Sequence, residues 1–209
     1  MIDAYVWTTP NGEKLLIALE ELGIPYTPHW INIGKGEQDT AAFRRINPNG
    51  KIPALVDRSS GDATGTVAIF ESLAVLVYLA DKTGKLMPKA GPERYVVLEW
   101  MAFNVGGTGP MTGQLAHFAK FAKEKVPYAI ERYTKEVERL HDVLDKRLGE
   151  SKFLGGDSYS MADVMNFSWA KGAVDNFGLS TDTRPNLKRW LDEVGARPAV
   201  IKARALEPA

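Results

Sequence analysis

VWTTPNGEKLLIALEELG (residues 6–23) is read as the end of a strand, a very tight turn and an amphipathic helix. Leu15, Leu16, Leu19 and Leu22 recur at helical spacing, and Gly23 stops the run. The turn carries Thr8, Thr9, Pro10 and Asn11. Pro10 suits the first turn of a helix, where no N–H is needed. One hydroxyl or amide is enough to cap a helix. Here two hydroxyls and an amide meet at a helix N-terminus, where unpaired N–H groups and the helix dipole favour an anion. The residues alone leave Thr8 and Thr9 even as partners for such an anion.

Working outward, residues 3–7 form the strand before the turn and residues 25–33 return as a second strand. A short helix over 40–47 ends at Pro48. Residues 52–57 and 67–70 are strands joined by a Ser/Gly/Asp/Thr stretch that suits a hairpin. A helix over 71–84 completes the order βαβαββα. Residues 85–93 hold two prolines and a glycine, and beyond them the pattern becomes all-helical. Helices are predicted over 93–105, 114–124, 126–148, 159–178 and 185–198, with a break at the Gly- and Pro-rich residues 106–113. The apolar seam of the 126–148 helix is Ile130, Tyr133, Val137, Leu140, Leu144 and Leu148. Ser160 and Asp163 form a capping box, with Tyr159 and Val164 as its hydrophobic staple. The expected domains are residues 1–86, an α/β unit with a mixed sheet, and residues 91–209, all-α.

At 209 residues the chain is long enough for two small cores. Lys+Arg and Asp+Glu balance at 26 each, so no net field draws it to nucleic acid or an anionic membrane. No apolar run is long enough to span a bilayer, and residues 1–7 enter a strand pattern without a secretion signal, so the expected location is cytoplasmic. There are no cysteines, which excludes a Cys nucleophile, Cys-x-x-Cys redox chemistry and zinc knuckles. Any thiol chemistry must use a thiol carried by a ligand. His29, His117 and His141 are scattered, so no metal is expected. GGTGPMTG (106–113) lacks the Gly-Lys-Ser/Thr ending of a phosphate loop. Phe103, Phe118, Phe121, Phe167 and Trp169 are read as core.

A βαβαββα unit followed by a helical domain resembles the cytosolic glutathione transferases. NPNGKIPALVD (47–57), FES (70–72), YSMADV (159–164) and RPAV (197–200) carry the likeness over essentially the whole chain. TPNG (9–12), GKGEQ (34–38), VGGTGPMTGQ (105–114) and PYAIERY (127–133) resemble the bacterial Nu class, which includes glutathione-dependent disulfide-bond reductases. The resemblance implies a thioredoxin-like glutathione-binding domain, with the helical domain supplying the acceptor side and dimer contacts. It also implies glutathione as co-substrate, a homodimer, and a small disulfide, peroxide or electrophile as second substrate.

Within that resemblance Thr9 is selected over Thr8, and Thr9 and Asn11 are the candidate catalytic residues, donating to the glutathione sulfur. A free thiol has a pKa near ~8.5, and lowering it by about two units takes roughly 2.7 kcal/mol. A helix N-terminus supplies about 0.3–1 kcal/mol, up to ~2 when partly buried. A hydrogen bond to a charged group adds roughly 1.5–3 kcal/mol. The dipole falls short alone, while dipole plus one donor suffices.

Ser72, at a helix start, offers a hydroxyl and backbone N–H groups to a carboxylate, and Glu71 can take an ammonium. A γ-glutamyl group presents both charges. Pro53 matches the family's cis-proline, which would expose the backbone of Ile52 to the cysteinyl part of glutathione. Gln38 and Lys51 are candidates for the glycyl carboxylate, although Glu37 and Asp39 flank Gln38 with negative charge. By resemblance Arg132 reaches a carboxylate of glutathione or its disulfide. Simple caps would equally account for Thr9, Asn11 and Ser72. Lys51 could be a solvated turn residue, and Arg132 an i,i+4 partner of Glu136. A non-catalytic interaction module of the same fold is the rival reading, but such modules usually lack the sulfur ligand or the acid–Ser pair.

Overall fold

The computed structural model describes residues 1–59 and 65–208 and divides into two compact units, Met1–Lys85 with Arg197–Ala209, and Leu86–Ala196. The stretch expected to turn the last hairpin lies largely outside the described residues.

In the first unit the strands are β1 (Ile2–Val6), β2 (Tyr26–Trp30), β3 (Ala54–Asp57) and β4 (Val67–Phe70). Their order in the sheet is β2-β1-β3-β4. β1 runs parallel to β2 and antiparallel to β3, and β3 is antiparallel to β4, so the sheet is mixed. The parallel pair requires a crossover, which α1 (Pro10–Leu22) supplies. Its leucines are buried with Ile2, Ala4, Val6, Leu55, Leu76 and Leu79 as the core of this unit. A short helix α2 (Ala41–Ile46) precedes β3, and α3 (Ser72–Thr83) follows β4. Asp57, fully buried at the end of β3, accepts from Tyr78 Oη at 2.7 Å and pairs with Lys82 Nζ at 2.8 Å. Burial opposes its charge, but Lys82, Tyr78 and Ser59 hold the carboxyl well below the usual range. Two contacts one turn apart thus tie α3 to the sheet.

The second unit holds α4 (Pro92–Phe103), α5 (Gly109–Ala116), α6 (Pro127–Glu150), α7 (Met161–Phe177) and α8 (Pro185–Gly195). Val137, Leu140, Leu144 and Leu148 of the expected seam are buried, and Ile130 and Tyr133 pack against the same core. The capping box of α7 forms as read, with Ser160 N–H donating to Asp163 Oδ2 at 2.9 Å.

Three readings are corrected here. The break expected at residues 106–113 is helical: a π turn (Asn104–Thr108) leads into α5, and a second (His117–Phe121) leaves it. Pro110 stands in the first turn of α5, directly after the π turn. Gly107 serves packing, since a Cβ there would stand 3.1 Å from Leu140 Cδ2. Second, the helix expected over 185–198 stops at Gly195, and α9 (Pro198–Arg204) follows. Residues Arg197–Ala209, which the sequence reading placed with the helical domain, belong to the first unit. There α9 packs on α1, and the Arg197 guanidinium donates to both oxygens of Glu21 at 2.5 and 2.8 Å. Third, Phe121, read as core, is 74% exposed.

Candidate active site

The turn between β1 and α1 is built as a cap. Thr9 has extended φ/ψ, and its hydroxyl oxygen accepts from Gly12 N–H at 3.3 Å. Thr9 N–H donates to Trp7 O at 2.7 Å, which closes the turn. A hydroxyl that accepts one bond still has its proton to donate, so capping and sulfur contact are compatible at Thr9. Thr8 is exposed. Gly12, buried at the third helical position, is sterically required: a Cβ there would lie 2.1 Å from Trp7 O.

Asn11, Lys51, Ile52, Pro53, Glu71 and Ser72 line one cavity of about 190 Å³, together with Asn47 and Asn49. The Ile52–Pro53 peptide bond is cis. Six of the residues named from sequence are therefore brought together, although they come from α1, the α2–β3 loop and the mouth of α3. Thr9 lies two residues before Asn11 in the chain but is not among the lining residues. Gln38 is not among them either. Its amide nitrogen donates to Asp39 Oδ2 at 3.1 Å, and its Oε1 is buried without a hydrogen-bond partner.

At the mouth of α3, Glu71 sits at φ 68°, a left-handed backbone that costs a non-glycine residue about 1–3 kcal/mol and recurs at ligand sites. No side chain caps this helix. Ser72 is therefore not spent on capping. It opens a helix whose first-turn N–H groups face the cavity end, where an anion is favoured.

Sequence reasoning missed three residues. Asn47 is buried and shapes the loop: its Nδ2 donates to Lys51 O at 2.6 Å and its Oδ1 accepts from Asn49 N–H at 2.9 Å. Asn49 Nδ2 reaches toward Glu71 Oε1 at 3.4 Å. Lys14, only 2% exposed, donates from Nζ to Asn11 Oδ1 at 2.9 Å. Burial pulls its ammonium down to about 7, while Glu71's charge acts to hold it up. The one sequence signal for Lys14 was its place among leucines on the buried face of α1.

In the second unit, Arg132 is exposed on α6 and lines a groove of about 660 Å³ with Met111, Tyr128, Tyr133, Glu136 and Arg139. The alternative reading, an i,i+4 pair with Glu136, does not form. Arg139 takes both Glu136 oxygens at 2.9 and 2.8 Å, and among the described residues Arg132 makes no ion pair. Among the described residues no group of three His, Asp or Glu could hold a metal, and no helix is long and apolar enough to cross a membrane.

The chain is similar to known proteins over nearly its full length. Residues 8–82 match the family model of the glutathione S-transferase N-terminal domain, and residues 109–198 match that of the C-terminal domain. The disulfide-bond oxidoreductase YfcG of Escherichia coli is 43% identical over 203 residues, 97% of this chain and 94% of the relative. A glutathione transferase of Burkholderia graminis, solved with two glutathione molecules per subunit, superposes with a TM-score of 0.91 at 40% identity, covering 97% of this chain and 87% of that one. One from Pseudomonas putida, with one glutathione disulfide per subunit, gives 0.92 at 33% identity, covering 99% and 92%. Two family models in the expected order, on this fold and this cavity, make the chain a member of the glutathione S-transferase family.

Proposed function

We propose that the chain binds glutathione or glutathione disulfide in the cavity of its first unit and uses the bound thiolate to reduce disulfide bonds. Peroxide reduction and transfer to electrophiles are further reactions of the same thiolate. The observation that carries this reading is the convergence of Asn11, Ile52, Glu71 and Ser72 on one cavity between two helix N-termini. Ser72 and the first turn of α3 receive the γ-glutamyl carboxylate, and Glu71 its ammonium. Lys51 takes the glycyl carboxylate, and Ile52 offers its backbone to the cysteinyl part. Thr9 and Asn11 donate to the sulfur, and Gln38 and Arg132 are kept as further contacts to carboxylates of the ligand. The functional chain is proposed to be a homodimer.

With no cysteine in the chain, the sulfur nucleophile is glutathione's own. One glutathione thiolate attacks a substrate sulfur, the S–S bond breaks and one substrate thiolate leaves. A second glutathione thiolate attacks the mixed disulfide, giving glutathione disulfide and the second substrate thiolate. The two thiol protons end on the two product thiols. The protein contributes thiolate fraction and alignment within one cleft.

Calorimetric titration with glutathione and glutathione disulfide, paired with turnover of a small aliphatic disulfide, tests this. Binding and glutathione disulfide formation are expected, with activity unchanged by prior maleimide treatment and removal of the reagent. In Thr9→Ala the bound thiol's titration midpoint should rise, read by thiolate absorbance, but stay below the free value. Failure to bind either ligand at millimolar concentration would instead favour a non-catalytic module, and activity without any glutathione would overturn the mechanism.

A further inference from the structure

Lys14 is a buried titratable group that the proposed chemistry leaves unused. Helical side chains lean toward the N-terminus, so Lys14 reaches back along α1 to Asn11, three residues earlier. An ammonium has only donors, and so has the NH2 end of an amide. The contact therefore has one workable orientation, with the Asn11 carbonyl toward Lys14 and its NH2 turned away from it. Leucine or methionine would fill the same buried position at lower cost, since a buried charge is disfavoured unless it is paired. Resting on the reading that this cavity holds glutathione, we infer that Lys14 is a positioning residue: its ammonium locks the Asn11 amide with the NH2 toward the bound thiolate, and its charge favours that thiolate.

The proton on Lys14 decides whether the lock holds. A neutral amine can accept a hydrogen bond, so the Asn11 amide is free to turn once the proton leaves. Burial brings this change close to neutral pH, where the thiol must also ionise. The two charges are reciprocally linked, each stabilising the other. Around α1 the other charged groups are already engaged. Asp3 of β1 is held by His29 and Arg58, and Asp57, at the end of β3, by Lys82 from α3. Arg197, Lys202 and Arg204, on or beside α9, face Glu21, Glu20 and Glu13. Glu71 is the charge whose field reaches Lys14.

Two measurements test the inference. In the wild-type chain, the Cε chemical shift of isotope-labelled lysine is titrated against pH, free, with glutathione, and with S-methylglutathione. The Lys14 midpoint should rise by about one pH unit or more with glutathione and stay in place with the S-methyl compound, which forms no thiolate. Equal midpoints with the two ligands would overturn the inference. In variants, Lys14→Met should raise the bound thiol's midpoint by about one pH unit, and by less than half as much in an Asn11→Ala background. An undiminished effect there would show that Lys14 does not act through Asn11. If Lys14→Met fails to fold, the wild-type titration still decides. A wild-type chain that binds neither glutathione nor S-methylglutathione would overturn the function itself, an outcome distinct from equal midpoints.

Discussion

Asp163 holds the second unit together, and replacing it has a cost that can be worked from its contacts. Its carboxylate is fully buried and accepts from four donors. Leu154 N–H and Trp190 Nε1–H meet Oδ1, each at 2.9 Å. Ser160 N–H meets Oδ2 at 2.9 Å and Ser160 Oγ–H at 3.0 Å. Burial pushes the carboxyl up, yet every neighbour is a donor, so the ionised form is the one that satisfies them. Asp163→Ala leaves three N–H donors buried without an acceptor, at about 1–3 kcal/mol each. The sum, about 3–9 kcal/mol, approaches the total stability of a typical domain, roughly 5–15 kcal/mol. Asp163→Asn keeps an oxygen for Leu154 and Trp190 but turns an NH2 toward Ser160 N–H, so its loss should be about 1–3 kcal/mol. Urea unfolding followed by tryptophan fluorescence and far-UV circular dichroism would give the midpoints and slopes. The expected order is wild type, then Asp163→Asn, then Asp163→Ala. A loss under about 1 kcal/mol in Asp163→Ala, or equal losses in both variants, would refute this accounting.

Ser72→Ala should weaken glutathione binding by about 1–3 kcal/mol, because the ligand's carboxylate loses a donor that no capping role occupies; calorimetry checks it. Gly12→Ala should weaken binding by at least roughly tenfold, about 1.4 kcal/mol, since the added Cβ meets Trp7 O and the turn must shift. An unchanged dissociation constant in a folded Gly12→Ala protein would show that the turn does not shape the site. His141 is 1% exposed, with neither ring nitrogen hydrogen-bonded among the described residues. Burial, with Arg184 nearby, lowers its pKa to about 4 against Asp142's opposing pull. The unfolded chain therefore binds this proton more readily, and stability falls as pH drops from about 6.5 toward 4. His141→Leu should recover about 2–3 kcal/mol of the stability lost between neutral pH and about pH 4.5, read by urea unfolding at both values.

The order of elements and most of the cavity were legible in the chain because each rests on local rules. Leucines at helical spacing buried one face of α1, and Ser160 with Asp163 opened α7, since caps are satisfied within four residues. The residues of the cavity were named from motifs, but their meeting required the sheet to bring the α2–β3 loop and the mouth of α3 to the N-terminus of α1. Proline and glycine misled at 106–113, because whether they break a helix depends on what packs against it; a Cβ at Gly107 would stand 3.1 Å from Leu140 on the facing helix. Arg139 rather than Arg132 took Glu136, a choice between two reachable guanidiniums that spacing leaves open. Lys14 was hidden for the same reason. A sequence shows where a charge lies along a helix, but burial and the orientation of the Asn11 amide it holds exist only once the turn, the sheet and α3 have closed around it.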